Sequence, residues 1–387
     1  MVPPRRSVPV TPMVLLIGNY APDQQQSMQR FGTMMLEGLA AAGVPAQLIQ
    51  PQPFFGKIRF AGNFAAKWLG YIDKFVLFPR RLRAQRKSAP GLVHICDHSN
   101  SMYARYFNGI PTVVTCHDFL AVRGALGEKT DTPASWTGRW LQRWILSGLR
   151  RASALACVSR TTCEDAARLV LRKADRPALQ VIPLGLSYPY RKLERAEAEA
   201  RCAQLPGLET RLPFVLHVGS NLPRKNRQGL LRIFARSQQE WNGQLVLVGD
   251  RLNDSLAAQA QALGISERVV ELGNRESEEL EALYNCATAF LFPSRFEGFG
   301  WPIIEAQACG CPVVCSSLQP MAEIAGAGAL LHDPEDEDGF ARDLLRLTNA
   351  DEHARWSARA LENAQRFTTA RMIAHYCELY RSLAPVC

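Results

Sequence analysis

The chain lacks any apolar run near the roughly 18 to 20 residues that a membrane-crossing helix needs. Its longest early candidate, Met13–Ile17, is strand-sized and stops at Gly18. Residues 1–12 hold Arg5 and Arg6 but also four prolines and no extended apolar core. That is not the build of a secretory leader, so the expected compartment is the cytosol. No C-x-x-C pair occurs among the eleven cysteines, an odd number; free thiols in a reducing compartment fit better than a disulfide framework. The seven histidines show neither H-E-x-x-H nor paired Cys/His spacing, which gives zinc no support. No G-x-G-x-x-G follows the first strand, and a nicotinamide or flavin site has no support either. Asp336-Glu337-Asp338 has the spacing of a metal-binding D-x-D, but it stands just before a helix whose N-terminal dipole such acids serve. No metal and no cofactor are expected.

What is present is a packed, 387-residue chain, 47% hydrophobic and 21% charged, with a mean hydropathy of −0.11. It is too long for one ordinary core of about 100 to 200 residues, so two domains are expected. Charge is divided unevenly between them. Residues 1–190 carry 24 Lys and Arg against 10 Asp and Glu, a balance of +14, and residues 191–387 carry 21 against 26, a balance of −5. Such asymmetry bears on what the first half approaches, whether an anionic membrane, a phosphorylated acceptor or nucleic acid, and not on fold.

Short apolar runs alternate with helical stretches in both halves. Strands are predicted at Met13–Ile17, Ala46–Ile49, Leu92–Cys96, Thr112–Thr115, Ala154–Val158 and Gln180–Ile182, then at Phe214–Val218, Gln244–Val248, Val269–Leu272, Ala289–Phe292, Pro312–Cys315 and Ala329–Leu331. Continuous apolar strands separated by helices imply parallel sheets covered on both faces. The expected fold class is α/β, two doubly wound domains facing each other across a cleft. A boundary falls between Leu186 and Pro213, where Pro183, Pro189 and the mixed-charge stretch Lys192–Gln204 break the rhythm. The first domain is expected over residues 1–187 and the second over 210–365. A last amphipathic helix from near Thr368 places Ile373, Tyr376, Leu379, Tyr380 and Leu383 on one stripe.

Lys57–Lys87 stands apart, with nine basic residues and one acid, Asp73, interleaved with Phe64, Trp68, Ile72, Phe75 and Phe78. It reads equally as a helix lying on anionic lipid or guiding a phosphate-bearing acceptor, and as a core helix with a basic wet face.

Two segments carry chemistry. In Ser294-Arg-Phe-Glu297-Gly-Phe-Gly-Trp-Pro-Ile-Ile-Glu305, Pro302 suits the first turn of a helix and Gly310 its end, which predicts a helix over about Trp301–Cys309. Glu297 then lies outside the helix N-terminus and Glu305 about one turn inside. Gly298 and Gly300 allow close approach of a ligand, and the N–H groups of Phe299, Gly300 and Trp301 would face an anion. The second segment, His217-Val-Gly219-Ser-Asn-Leu-Pro-Arg224-Lys225-Asn226, lacks the second glycine and the Ser or Thr of a Walker loop. It leaves two cations at a strand's carboxyl end, where open α/β sheets bind ligands. Arg224 can hold a diphosphate bidentately and Lys225 acts as a point charge.

Together these residues resemble the retaining GT-B glycosyltransferases of family GT4, through the E-x7-E spacing of Glu297 and Glu305. Val218-Gly219 with Pro223-Arg-Lys-Asn226, Leu272-Gly273, Glu279–Tyr284, Phe292-Pro-Ser294, Gly310–Val314, His117-Asp118, Val158-Ser159 and Val181–Gly185 extend the resemblance over most of the chain. The resemblance implies two Rossmann-like domains, a nucleotide-sugar donor held mainly by the second, an acceptor held mainly by the first, and a final helix over residues 366–387 crossing back to the first. It also implies residue roles. Glu305 would bind the donor ribose, Glu297 the transferred sugar, Arg224 and Lys225 the leaving diphosphate, and His117 would approach the sugar. Asn274 and Arg275, after Gly273, become candidates for the base, and Gly18 and Asn19 for the loop after the first strand. The chain departs from the family at Ser220, where many members have Arg, and at Gly18–Ser27, where many have a Gly-Gly pair.

The leading expectation is therefore a metal-independent, retaining transferase. It would move a hexose or similar sugar from a UDP- or GDP-sugar to a lipid-linked, polysaccharide or other glycan acceptor at the cytosolic membrane face, with Lys57–Lys87 near the anionic surface. A sugar-nucleotide epimerase on the same fold is one alternative. A nucleic-acid-binding scaffold using the basic half is another, but the aromatic stacking platforms or reader motif it requires are missing, so no nucleic-acid partner is expected.

Overall fold

The computed structural model describes residues 13–23, 25–57, 63–171, 177–209 and 211–384, with the backbone alone at 57 and 63–67. The chain forms two compact units, one of Met1–Ile182 with Thr369–Cys387 and one of Pro183–Thr368.

The first unit is built on six parallel strands, β1 (Val14–Ile17), β2 (Ala46–Ile49), β3 (Leu92–Ile95), β4 (Thr112–Cys116), β5 (Ala154–Cys157) and β6 (Ala178–Val181), in the order β2-β1-β3-β4-β5-β6. The four central strands are wholly buried, which is why they read as unbroken apolar runs. The edges β2 and β6 are half exposed. Because β6 opens on an exposed alanine and not on an apolar run, it begins two residues before the position its hydrophobicity suggests.

The helix Thr369–Leu383 belongs to this first unit. Its buried face carries Ile373, Tyr376, Leu379 and Tyr380. Tyr376 Oη lies 2.8 Å from Thr115 Oγ1 and Tyr380 Oη 2.6 Å from His94 Nδ1, with His94 Nε2 2.8 Å from Thr115. Burial, with His117 nearby, drops the His94 pKa to about 3, so this network is uncharged. Gly38 is required beneath the helix: a Cβ there would stand 2.5 Å from Ile373 Cγ1.

The basic segment is neither of the two simple helices expected. Beyond residues 58–62, which lie outside the described residues as does the Phe64 side chain, a helix over Asn63–Ile72 runs into a π turn over Asp73–Leu77 and then a helix over Phe78–Arg86. The wide turn rotates the aromatic stripe, so that Phe78 is buried while Trp68 is 52% exposed.

The second unit repeats the architecture with β7 (Phe214–Gly219), β8 (Gln244–Gly249), β9 (Val269–Gly273), β10 (Ala289–Phe292), β11 (Val313–Ser316) and β12 (Ala329–His332), ordered β12-β11-β10-β7-β8-β9. The mixed-charge helix Arg195–Cys202 is part of this unit, fastened to the helix Ser277–Cys286 by Arg201 on Glu281 at 3.2 Å and, just before it, by Arg191 N–H on the same carboxylate at 3.0 Å. Asp336 caps the helix Glu337–Arg346 by accepting from Gly339 N–H at 2.9 Å. Strand order reverses between β1 and β3 in one sheet and between β7 and β10 in the other. Ligands of open α/β sheets settle beyond the carboxyl ends of strands at such reversals.

Candidate functional site

In the second unit the β7/β10 reversal brings together the two chemistry-bearing segments of the sequence. After Gly219 the chain makes a 3-10 turn over Pro223–Lys225 and bends through Asn226 at φ +53°. The Asn226 side chain accepts from Gly229 N–H at 3.3 Å and caps the following helix, Arg227–Ser237. Buried Arg227 pins this loop, donating to the carbonyls of Gly219 and Asp250 at 2.6 Å each and to Asn221 Oδ1 at 2.7 Å. Arg224 Nη1 donates to Glu297 Oε2 at 3.0 Å and to the Phe296 carbonyl at 3.2 Å, and Lys225 Nζ donates to Glu297 Oε1 at 2.6 Å. Lys225 also stands 5.0 Å over the Phe292 ring. Burial pushes the Glu297 pKa up, but Lys225 and Arg224 outweigh it, and the carboxyl is held below its ordinary range. Two cations and one carboxylate thus form a single fixed cluster with a net positive charge.

Glu297 leads into the helix Trp301–Ala308, whose N-cap Gly300 has φ +99°, a conformation that strains any other residue. The amides of Phe299, Gly300 and Trp301 precede or open the helix, where no intrahelical acceptor exists and the dipole is positive. Glu305, buried one turn inside, accepts from Tyr284 Oη at 3.1 Å; burial and this carboxylate push the Tyr284 phenol well above its usual range. Glu297 is thus held by two cations, and Glu305 accepts from a neutral hydroxyl. Trp301 Nε1 donates to the Gly185 carbonyl at 2.8 Å, which fixes the first helical residue. Of the candidate base contacts, Asn274 is exposed. Arg275 folds back on the Leu272 carbonyl, with Nε at 2.9 Å, and on Glu279 at 3.3 Å.

In the first unit, Gly18 and Asn19 follow β1 and His117 follows β4. Asn19 is a buried hub: its Nδ2 donates to Gln25 Oε1 and Asp97 Oδ2 at 2.6 Å each, and its Oδ1 accepts from Asn100 at 3.1 Å. Gly18 sits where a Cβ would come 3.2 Å from Leu48. His117 Nε2 donates to the Cys96 carbonyl at 2.9 Å, and Phe31 meets its ring edge-to-face at 4.9 Å. Burial lowers its pKa against the pull of Asp97, so the imidazole is neutral with Nδ1 its basic nitrogen.

Sequence reasoning missed Asp97, His98 and Asn100, which surround Asn19 at the β1/β3 reversal; His98 Nδ1 is 3.2 Å from Asp97 Oδ1. The available signal was a second Asp and His beside each other at a strand end, Asp97-His98 after β3. It quoted Tyr284 and His217 within motifs without giving either a role, and it missed Arg227. His217 Nδ1 donates to the Leu291 carbonyl at 3.0 Å, and burial, then Arg227, lowers its pKa to about 3. Among the described residues its buried Nε2 has no hydrogen-bond partner.

Comparison with known proteins gives two family matches. Residues 204–364 match the family described as glycosyl transferases group 1, and residues 28–185 the glycosyl transferase 4-like domain. O-antigen chain mannosyltransferase B of Escherichia coli is 30% identical over 57% of this chain and 62% of its own. The D-inositol 3-phosphate glycosyltransferase of Nocardia farcinica is 30% identical over 70% of this chain and 61% of its own. The matched stretches thus span about six tenths of these relatives. Among solved structures, sucrose-phosphate synthase of Thermosynechococcus elongatus aligns with a TM-score of 0.70 at 22% identity over 96% of this chain and 99% of that one. Anabaena HepE, solved with UDP and glucose, aligns with a TM-score of 0.70 at 19% identity, covering 96% and 99%. These likenesses establish the fold.

Proposed function

Since this chain belongs to the glycosyl transferases group 1 on the GT-B fold, we propose that it moves a hexose or similar sugar from a UDP- or GDP-sugar to a lipid-linked or glycan acceptor, with retention at the anomeric carbon and without a metal ion. The observation that carries this reading is the Arg224–Lys225–Glu297 cluster at the β7/β10 reversal, set against the N-terminus of the helix that holds Glu305.

The difficult step is loss of a nucleoside diphosphate from a carbon that becomes oxocarbenium-like. Arg224 and Lys225 are already held in place by Glu297, so they meet the charge developing on the diphosphate without reorganising. The amides at Phe299, Gly300 and Trp301 add fixed positive dipoles. These cations supply the neutralisation that a metal would otherwise bring, which supports a metal-independent reaction. Glu297 also accepts hydroxyls of the transferred sugar, and Glu305, its geometry fixed by Tyr284, accepts those of the ribose. In the first unit, neutral His117 serves as a hydrogen-bonding group towards the sugar, and Asn19 keeps the loop after β1 in place. Same-face attack by the acceptor hydroxyl gives retention. The basic Lys57–Lys87 segment supports an acceptor met at the inner face of an anionic membrane, the chain being peripheral and cytoplasmic.

A thermal-shift panel with UDP-, GDP-, ADP- and dTDP-sugars, repeated in EDTA, tests the donor site. One nucleotide should stabilise the fold by mass action, on the order of 2.7 kcal/mol at a hundredfold excess over its dissociation constant, and so raise the unfolding midpoint, and EDTA should leave the shift unchanged. A shift abolished by EDTA removes metal independence, and no shift with any donor removes the site.

A further inference from the structure

We propose that the first unit docks on an anionic lipid bilayer through a face formed by the helix Trp136–Leu149 and the Asn63–Ile72 helix with its π turn, with Trp68, Trp136 and Trp140 entering the lipid interface. This deepens the membrane part of the reading above and is independent of the transfer chemistry.

Three observations converge on this face. The first is aromatic exposure: Trp136, Trp140 and Trp68 are 73%, 57% and 52% exposed. Tryptophans are usually among the more buried residues, and they gather where one end of the ring meets water and the other hydrocarbon. Trp136 and Trp140, one helical turn apart, meet edge-to-face at 6.2 Å, while Ile145, Leu146 and Leu149 of the same helix are buried.

The second is a cavity of about 920 Å³ between the two helices, lined chiefly by Trp68, Tyr71, Phe75, Trp140, Leu141 and Trp144. Its size is at the upper end of the range for small-molecule sites, and its aromatic walls suit an acyl chain.

The third is charge. The helix Trp136–Leu149 carries Arg139 and Arg143 and no acid, and the Arg143 guanidinium lies 5.8 Å over the Trp140 ring. Asp73, the one acid among residues 57–87, is turned inward. It accepts from the amides of Phe54, Phe55 and Gly56 at 3.1, 3.1 and 3.0 Å and from Tyr20 Oη at 2.7 Å. Lys74 is matched by Asp23 at 2.8 Å. Among the described residues no carboxylate pairs with Arg80, Arg81, Arg139 or Arg143. The face thus joins exposed tryptophans to Arg139 and Arg143, which no described carboxylate matches, and is complementary to an anionic surface. A second copy is a poor occupant, because a two-fold interface pairs this patch with itself and brings a second set of the same unmatched cations to it.

Flotation with vesicles of equal parts phosphatidylcholine and phosphatidylglycerol, against phosphatidylcholine alone, tests this. The full chain should float with the anionic vesicles only and detach as salt is raised, and brominated lipid should quench its tryptophan fluorescence. The double variants Trp136→Ser/Trp140→Ser and Arg139→Glu/Arg143→Glu should each lower partition on the order of tenfold or more with an unchanged unfolding midpoint. Absence of flotation, equal flotation on neutral vesicles, variants that float like wild type, or a concentration-dependent dimer lost in the same variants would each overturn the assignment. Nucleotide-sugar thermal shifts on the same proteins separate the two readings. A retained shift without flotation removes docking alone, and flotation without any shift supports docking while removing transfer.

Discussion

At the residue scale the decisive feature is a buried carboxylate held by two cations. Lys225→Ala leaves Glu297 with Arg224 as its remaining cation at 3.0 Å, and a buried polar group that loses a partner costs about 1 to 3 kcal/mol. The midpoint should fall by several degrees, and transfer should fall on the order of a hundredfold or more. Glu297→Ala in the same chain should recover part of the midpoint and none of the activity. A midpoint drop that the second change does not recover would show that the pair is not coupled. The pH dependence has a defined sign. The folded pKa of Glu297 lies below its unfolded value of 4.5, so its contribution is present above pH 4.5 and is lost as pH falls through the folded pKa. Glu297→Gln should flatten that acid limb when midpoints are followed against pH. His217 has a folded pKa of about 3 against 6.5, so it adds a loss of about 1.4 kcal/mol per pH unit as pH falls from 6.5 towards 3. The glutamate spacing and the Arg-Lys pair were legible because they sit on contiguous stretches. The long-range partners of Glu305 and Asn19 were not: Tyr284 is 21 positions from Glu305, and Asn19 is 78 from Asp97, distances that no local pattern spans.

At the element scale, the twelve strands were readable because parallel strands buried on both faces leave continuous apolar runs. Their ends were less so, since β7, β8 and β9 run on into Gly219, Gly249 and Gly273, residues that a propensity reading places in turns. The π turn over Asp73–Leu77 was invisible for a different reason. It is set by the demand of Asp73 for the amides of Phe54, Phe55 and Gly56, which are remote in sequence. The closing helix gives a test whose sign reverses with context. Gly38→Ala should gain up to about 1 kcal/mol of helix propensity, yet its new Cβ falls 2.5 Å from Ile373 Cγ1, and overpacking costs about 1 to 3 kcal/mol. The single variant should unfold at a lower denaturant concentration than wild type. In an Ile373→Ala background the same change should stabilise. Stabilisation in both backgrounds would mean that this helix does not press on Gly38.

At the scale of the whole molecule, the division of charge was legible from the sequence alone, +14 in the first 190 residues and −5 in the rest. The sequence could not say that the one acid of the basic segment is spent inside the fold while three tryptophans are left outside. Exposure is a property of packing, and Trp68 and Trp140 share a stripe-like spacing with residues that are buried. The two proposals assign the units separate chemical tasks, donor recognition at the β7/β10 reversal of the second and surface recognition on the helices of the first. Hydrogen exchange on the intact chain distinguishes them. Saturating nucleoside diphosphate of the base selected by thermal shift should slow exchange at residues 219–226 and 294–305, where amides become hydrogen-bonded to phosphate or immobilised beside it, and leave residues 136–149 unchanged. Anionic vesicles should do the reverse, slowing residues 68–77 and 136–149 and leaving the two phosphate-facing loops at their free rates. Protection of the second unit by vesicles would contradict the division, because its acidic excess repels an anionic surface.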